Sequence, residues 1–163
     1  MNVLVLCTGN SARSILGEAL FNHLGAGRVN GFSAGSKPKG VPHPGALRLL
    51  TRRGIDTATF RSKSWNEFSG PASPRIDVAI TVCGNAAEEA CPVFMGAPVM
   101  GHWGLPDPAD VEGDDAAVDA AFEVTWQALS IRVRAFLASS VETMEPRHLQ
   151  DVLNEIGRME GAA

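Results

Sequence analysis

The stretch VLVLCTGNSARS, residues 3–14, predicts a buried strand, a loop and the start of a helix. An apolar run typical of a buried strand ends on Cys7, and a loop of mostly small residues leads to Arg13 and a helical pattern. In a turn that passes directly from a strand into a helix, backbone N–H groups point inward and bind an anion. Gly9 and Asn10 tolerate the left-handed backbone that such a turn requires. The stretch therefore predicts an oxyanion site beside a thiol.

The loop also has the chemistry for nucleophilic attack. Arg13 offers a planar fork to two oxygens of a tetrahedral anion. The positive field of the loop lowers the pKa of a thiol, and we expect the pKa of Cys7 to fall from about 8.5 to about 4–7. The predicted anion-binding residues are Thr8, Gly9, Asn10, Ser11, Ala12, Arg13 and Ser14. The alternative is a buried strand cysteine before an ordinary helix that Ser11 or Ser14 caps.

Strand and helix patterns alternate along the rest of the chain. Predicted strands cover 2–6, 29–35, 76–83 and 97–103, and predicted helices cover 14–24, 44–54, part of 62–68, about 115–140 and 147–159. This alternation predicts an α/β fold with a parallel sheet and helices on both sides. We expect one domain over 1–163, with a core at about 2–140 and a C-terminal helix at about 146–159.

The C-terminal ends of parallel strands are where open α/β sheets bind ligands. Cys7, Cys83 and the 104–113 loop all fall at such ends. The sequence therefore predicts that these three features meet at one site.

Composition excludes several classes of protein. The chain carries a net charge of −4, which argues against a general nucleic-acid binder. No run reaches the roughly 18 apolar residues of a membrane span, and the N-terminus lacks the charged region of a signal peptide. We therefore expect a cytoplasmic protein. In that compartment its cysteines, Cys7, Cys83 and Cys91, are expected to be reactive or metal-binding rather than structural disulfides.

The loop sequence resembles the active-site loop of the low-molecular-weight tyrosine phosphatase superfamily. Two later motifs, ITVCGNAAEEACP (80–92) and HWGLPDPA (102–109), resemble one branch of it, the thioredoxin-coupled arsenate reductases. The resemblance covers about 2–140 and implies a four-stranded parallel sheet flanked by helices. It also implies site roles: Cys7 as nucleophile, Arg13 as oxyanion clamp, Ser14 as a hydroxyl that steadies the thiolate, and Asp107 as the acid that protonates the leaving oxygen.

The same resemblance implies a thiol cascade acting on arsenate. Cys7 forms an adduct with arsenate, Cys83 attacks Cys7 and releases arsenite, and Cys91 attacks Cys83. Thioredoxin then reduces the Cys83–Cys91 disulfide, with glutaredoxin and glutathione as the alternative electron donor and no tightly bound cofactor. Tyrosine phosphatase activity is the other alternative. The chain lacks tyrosine, and Pro108 and Ala109 follow Asp107 in place of the aromatic residues common in those phosphatases.

The segment between Cys83 and Cys91 creates a geometric problem. The intervening GNAAEEA predicts a helix, which would span about 12 Å over eight residues. A disulfide needs Cα atoms about 4.4–6.8 Å apart. We therefore expect residues 84–95 to unwind when the two cysteines are oxidised.

Three further interpretations concern ions. In some family members the residues corresponding to Asn10, Glu18 and Ser33 help bind potassium, but Asn66 stands near where an aspartate ligand is expected, so no metal site is assigned. A zinc site could be built from Cys83, Cys91 and His102. A non-enzymatic oxyanion sensor would keep the loop but would have no need for the later cysteines or for the acid.

Overall fold

The computed structural model describes residues 1–84, 94, 96 and 98–159. Within those residues the strands are β1 (Asn2–Cys7), β2 (Asn30–Gly35), β3 (Val78–Thr81) and β4 (Val99–His102). The α-helices of the same residues are α1 (Arg13–Gly25), α2 (Pro44–Arg52), α3 (Asp115–Ala138) and α4 (Pro146–Gly157). Short 3-10 helices lie at Trp65–Phe68, Pro108–Asp110 and Val141–Thr143. Neighbouring strands run parallel in the order β2-β1-β3-β4, which confirms the predicted α/β fold.

Both faces of β1 are covered, as its unbroken apolar sequence predicts. Val3 and Val5 belong to the core beneath α1, α3 and α4, whereas Leu4 and Leu6 belong to a second cluster with Trp65. All four strand residues are 1% exposed or less. Alternate side chains of a strand point to opposite faces, so a continuous apolar run suits a strand buried on both sides.

Helix α1 lies close against β1 because of Gly17. A Cβ at Gly17 would lie 2.9 Å from Cγ1 of Val5, closer than real Cβ contacts come. The absence of a side chain therefore lets α1 approach the strand that carries Cys7. This contact sets the position of the helix whose first residue is Arg13.

Helix α4 covers β4, the last strand of the sheet. Gln150 donates a hydrogen bond to the carbonyl of Met100 at 2.6 Å, and the indole of Trp103 donates to the carbonyl of Leu153 at 3.1 Å. Such cover protects a sheet edge from pairing with another chain. Among the described helices, none is both long and apolar enough to cross a membrane.

Candidate active site

The predicted anion loop joins β1 to α1 and forms the wall of a cavity of about 430 Å³. Cys7 is the last residue of β1 and is 5% exposed, and Arg13 is the first residue of α1. Asn10 has a φ of 42°, the left-handed conformation expected within this turn. Every predicted loop residue except Asn10 and Ser14 lines the cavity: Thr8, Gly9, Ser11, Ala12 and Arg13.

Cys7 and Cys83 lie side by side at the base of this cavity. Strands β1 and β3 are neighbours, so the chain brings both thiols to the same edge of the sheet. No disulfide joins Cys7 and Cys83 in this structure. The main-chain N–H of Thr8 donates to Sγ of Cys83 at 3.3 Å, and the Thr8 hydroxyl lies 3.4 Å from the same sulfur.

The pKa of Cys7 is raised, and the expectation of a lowered value was wrong. The hydrogen bond to Cys83 and burial both raise the pKa of the Cys7 thiol, and they prevail over Arg13 and the Gly9 N–H, which lower it. The guanidinium of Arg13 also forms an ion pair with Asp107. The main-chain N–H of Thr8 donates to the sulfur of Cys83 rather than to that of Cys7.

Asp107 meets Arg13 across the cavity. Its Oδ2 lies 3.2 Å from Nη2 of Arg13, and its Oδ1 accepts the N–H of Ala109 at 3.0 Å. The second bond caps the 3-10 helix at Pro108–Asp110 and fixes the carboxylate at the cavity edge. Arg13 also donates to the carbonyl of Leu105 at 2.7 Å. The predicted clamp and the predicted acid are therefore brought together.

Ser14 is buried beside the loop, and its hydroxyl accepts a hydrogen bond from the Asn10 amide at 2.8 Å. This bond ties the first turn of α1 to the left-handed residue of the loop. Its predicted role as a donor to the Cys7 thiolate stays a prediction.

Two exposed lysines, Lys37 and Lys39, line the mouth of the cavity. Lys37 and Lys39 follow β2, the strand beside β1, and their main-chain N–H groups donate to the carbonyls of Thr8 and Gly9 at 2.9 and 3.0 Å. Their position after a strand end was the signal that could have found them. They add positive charge where an anion enters.

Lys63 was missed altogether. It is 8% exposed, and its main-chain N–H donates to Oδ1 of Asn10 at 2.9 Å. Its ammonium lies 3.5 Å from the hydroxyl of Ser33 and 3.9 Å from the carboxylate of Glu18. Nothing in the polar sequence RSKSWNEF distinguishes this lysine from a solvated one.

Several sequence-based interpretations are not decided by this geometry. Cys91 and most of the predicted helix that precedes it lie outside the described residues. Nδ1 of His102 is hydrogen-bonded to the Thr81 hydroxyl at 2.7 Å. Over residues 1–84 and 98–159, no group of three or more His, Cys, Asp or Glu side chains is placed to hold a metal ion.

Comparison with known proteins shows the family of this chain. The profile of the low molecular weight phosphotyrosine protein phosphatase family matches residues 2–148. An arsenate reductase of Halalkalibacterium halodurans is 31% identical over 134 residues, which cover 82% of this chain and 93% of the relative. The chain therefore belongs to the low molecular weight phosphotyrosine protein phosphatase family, and within it to the group that contains these arsenate reductases.

Solved structures of similar proteins share the fold. The crystal structure of an arsenate reductase from Archaeoglobus fulgidus is 26% identical, with a TM-score of 0.65, and the match covers 84% of this chain and 99% of that one. A thioredoxin-dependent arsenate reductase of Corynebacterium glutamicum is 25% identical, with a TM-score of 0.56, covering 85% of this chain and 63% of that one.

Proposed function

We propose that this protein reduces arsenate to arsenite by a cascade of its own thiols, which thioredoxin then restores. One observation carries the proposal: Cys7 and Cys83 both line the anion cavity, and Thr8, the residue after Cys7, donates its main-chain N–H to the Cys83 sulfur at 3.3 Å. A phosphatase needs one nucleophilic thiol, whereas a reductase must supply two electrons and needs a second sulfur within reach of the first. Membership of the group that contains arsenate reductases supports the same activity.

Arsenate binds to the N–H groups of the loop at 8–14 and to Arg13 in the proposed first step. The Cys7 thiol gives its proton to the Asp107 carboxylate in the same cavity, which leaves Cys7 as the thiolate and Cys83 as the thiol. Its sulfur attacks arsenic, so that a sulfur–arsenic bond forms and an arsenic–oxygen bond breaks. Asp107, once protonated, donates its proton to the departing oxygen, which leaves as water.

Cys83 carries out the reduction in the second step. Cys83 gives its proton to the Asp107 carboxylate, and the resulting Cys83 thiolate attacks the sulfur of Cys7. A disulfide forms, and the electron pair of the sulfur–arsenic bond goes to arsenic. Arsenic leaves as arsenite, having gained the two electrons that the two sulfurs lose. The N–H and hydroxyl of Thr8 favour the Cys83 thiolate that this attack requires.

Cys91 completes the cascade by attacking Cys83, which frees Cys7 and leaves a Cys83–Cys91 disulfide. A reduced thioredoxin supplies the final pair of electrons, a choice that the thioredoxin-dependent neighbour supports. Glutaredoxin with glutathione is the alternative donor. Because both donors and the thiols themselves require a reducing compartment, we place the protein in the cytoplasm.

The test is arsenate-dependent oxidation of NADPH in the presence of thioredoxin and thioredoxin reductase, with phosphate as the control anion. We expect sustained turnover with arsenate and none with phosphate. Turnover only with glutaredoxin and glutathione would correct the donor and keep the reductase. If neither system turns over while p-nitrophenyl phosphate is hydrolysed, the protein is a phosphatase and the reductase proposal is wrong.

A further inference from the structure

A buried ion pair lies directly beneath the anion loop. The side chains of Lys63 and Glu18 are 8% and 14% exposed, and their charged atoms are 3.9 Å apart. The ammonium of Lys63 also donates to the carbonyl of Arg61 at 3.2 Å and to the hydroxyl of Ser33 at 3.5 Å. Ser33 in turn donates to Glu18 at 3.2 Å. Oxygen atoms from three separate parts of the chain therefore surround one ammonium group.

This ion pair is joined to the loop through Asn10. The main-chain N–H of Lys63 donates to Oδ1 of Asn10, and the amide nitrogen of Asn10 donates to Ser14 on α1. The carbonyl of Lys63 accepts the N–H of Gly35 at 2.9 Å, so the segment is also fixed to β2. Asn10 has a φ of 42°, a left-handed conformation that asparagine tolerates better than most residues with a side chain, and these hydrogen bonds hold it in that conformation.

A buried carboxylate requires a cation nearby. Burial raises the pKa of Glu18, whereas the positive charge of Lys63 lowers it. Burial likewise lowers the pKa of Lys63, and the charge of Glu18 raises it. Removing one partner of such a pair is costly, because the remaining charge stays in a poorly solvated place.

These residues do not fit a potassium ion, although the family resemblance implies one beside Asn10, Glu18 and Ser33. The ammonium of Lys63 already contacts two of those three side chains, Glu18 and Ser33. A second positive charge among the same oxygens would be repelled by the first. The ammonium of Lys63 thus already balances the charge of Glu18, the buried carboxylate of this group.

We infer that Lys63 is a built-in cation, a positioning residue that holds the anion loop through Asn10, so that anion binding by this protein does not depend on a monovalent metal ion. The inference rests on the loop being the anion site and is independent of whether the bound anion is afterwards reduced. It can therefore be tested with an anion that does not react.

The experiment is calorimetric titration of inorganic phosphate into the intact protein, in potassium chloride and in choline chloride at equal ionic strength. For the wild type we expect the same dissociation constant in both salts, within about twofold. In choline chloride Lys63→Ala should bind phosphate about tenfold more weakly, comparable to the loss of one supporting contact. Potassium, now able to enter beside Glu18, should restore most of that loss. Arg61→Gln removes an exposed charge from the same segment and should behave like the wild type.

A double variant keeps the test decisive if Lys63→Ala fails to fold. Lys63→Met combined with Glu18→Gln removes both charges and leaves neither unpaired; it should bind phosphate weakly in both salts, because the carboxylate that attracts potassium is gone. A wild-type affinity that potassium improves by more than about threefold would overturn the inference. The inference would also be overturned if both altered proteins bind phosphate as tightly as the wild type in choline chloride. Failure of potassium to restore phosphate binding by Lys63→Ala would overturn it as well.

Discussion

The main-chain N–H of Thr8 donates to the sulfur of Cys83 and its hydroxyl is hydrogen-bonded to the same sulfur, although Thr8 follows the other cysteine, Cys7, in the chain. The N–H lies 3.3 Å and the hydroxyl oxygen 3.4 Å from that sulfur. In the proposed cascade, Thr8 thus prepares Cys83, the thiol that acts after Cys7. This relationship links the anion loop to the second cysteine before any substrate is bound.

Replacing Thr8 with valine should slow the second step of the reaction. The substitution removes the hydroxyl and keeps the N–H, so the Cys83 thiolate loses one supporting contact. We expect arsenite release in a single turnover to slow about threefold to tenfold, the value of one hydrogen bond. Thr8→Ser, which retains the hydroxyl, is the matched control. An unchanged rate in Thr8→Val would show that the hydroxyl does not assist Cys83.

Replacing Cys83 with alanine should lower the pKa of Cys7. The hydrogen bond to Cys83 is the largest cause that raises this pKa, and Arg13 continues to lower it. A lower pKa means a larger thiolate fraction at neutral pH, so alkylation of Cys7 by iodoacetamide should become faster there. The measurement is the rate of Cys7 alkylation against pH, followed by mass spectrometry of the Cys7 peptide. A profile displaced to higher pH would contradict this account.

Replacing Asp107 with asparagine should separate binding from chemistry. The asparagine keeps an oxygen for the N–H of Ala109 but can neither act as the acid nor hold Arg13 by charge. We expect kcat for arsenate reduction to fall about 100-fold or more, the usual worth of a general acid. Phosphate should bind at least as tightly as before, because Arg13 is released. Asp110→Asn, in the same 3-10 helix, is the control, and weaker phosphate binding in Asp107→Asn would contradict the proposed role.

Replacing Gly17 with alanine should destabilise the fold. The new Cβ would press on Val5 at 2.9 Å. Overpacking of this kind costs about 1–3 kcal/mol, against about 1 kcal/mol that alanine gains over glycine within a helix. We expect a net loss of about 1 kcal/mol in the free energy of unfolding by urea. Gly70→Ala, where nothing lies within 4 Å of the added Cβ, should change it by less than about 0.5 kcal/mol.

The parts of the site that follow from local sequence were predicted well. The strand, the loop and the start of α1 are continuous in the chain, so Cys7 and Arg13 could be placed from pattern alone. Cys83 and the 104–113 loop were predicted to meet there from a general property of parallel sheets, whose strand ends share one edge, whereas Asp107 was implied by the family resemblance. Strand limits were less accurate, since the predicted strand at 76–83 is β3 at Val78–Thr81.

The parts that depend on tertiary contacts were not predictable. Lys63 is a distant residue in sequence from Glu18 and Ser33, and only the folded chain makes it a buried cation. The direction of the Cys7 pKa was wrong for the same reason. It depends on the hydrogen bond to Cys83, which lies 76 positions further along the chain, and on burial of the thiol in the folded protein.

In the central step of the proposed cascade, Cys83 attacks the sulfur of the Cys7–arsenic adduct, so that a Cys7–Cys83 disulfide forms and arsenite leaves. The most direct test uses reduced Cys91→Ser protein, one equivalent of arsenate and no external thiol. Arsenite and disulfide are quantified after acid quenching, and the disulfide is located by peptide mass spectrometry. The account predicts one arsenite and one Cys7–Cys83 disulfide per protein, and neither in Cys83→Ser. Arsenite released without that disulfide, or released equally by Cys83→Ser, would contradict it.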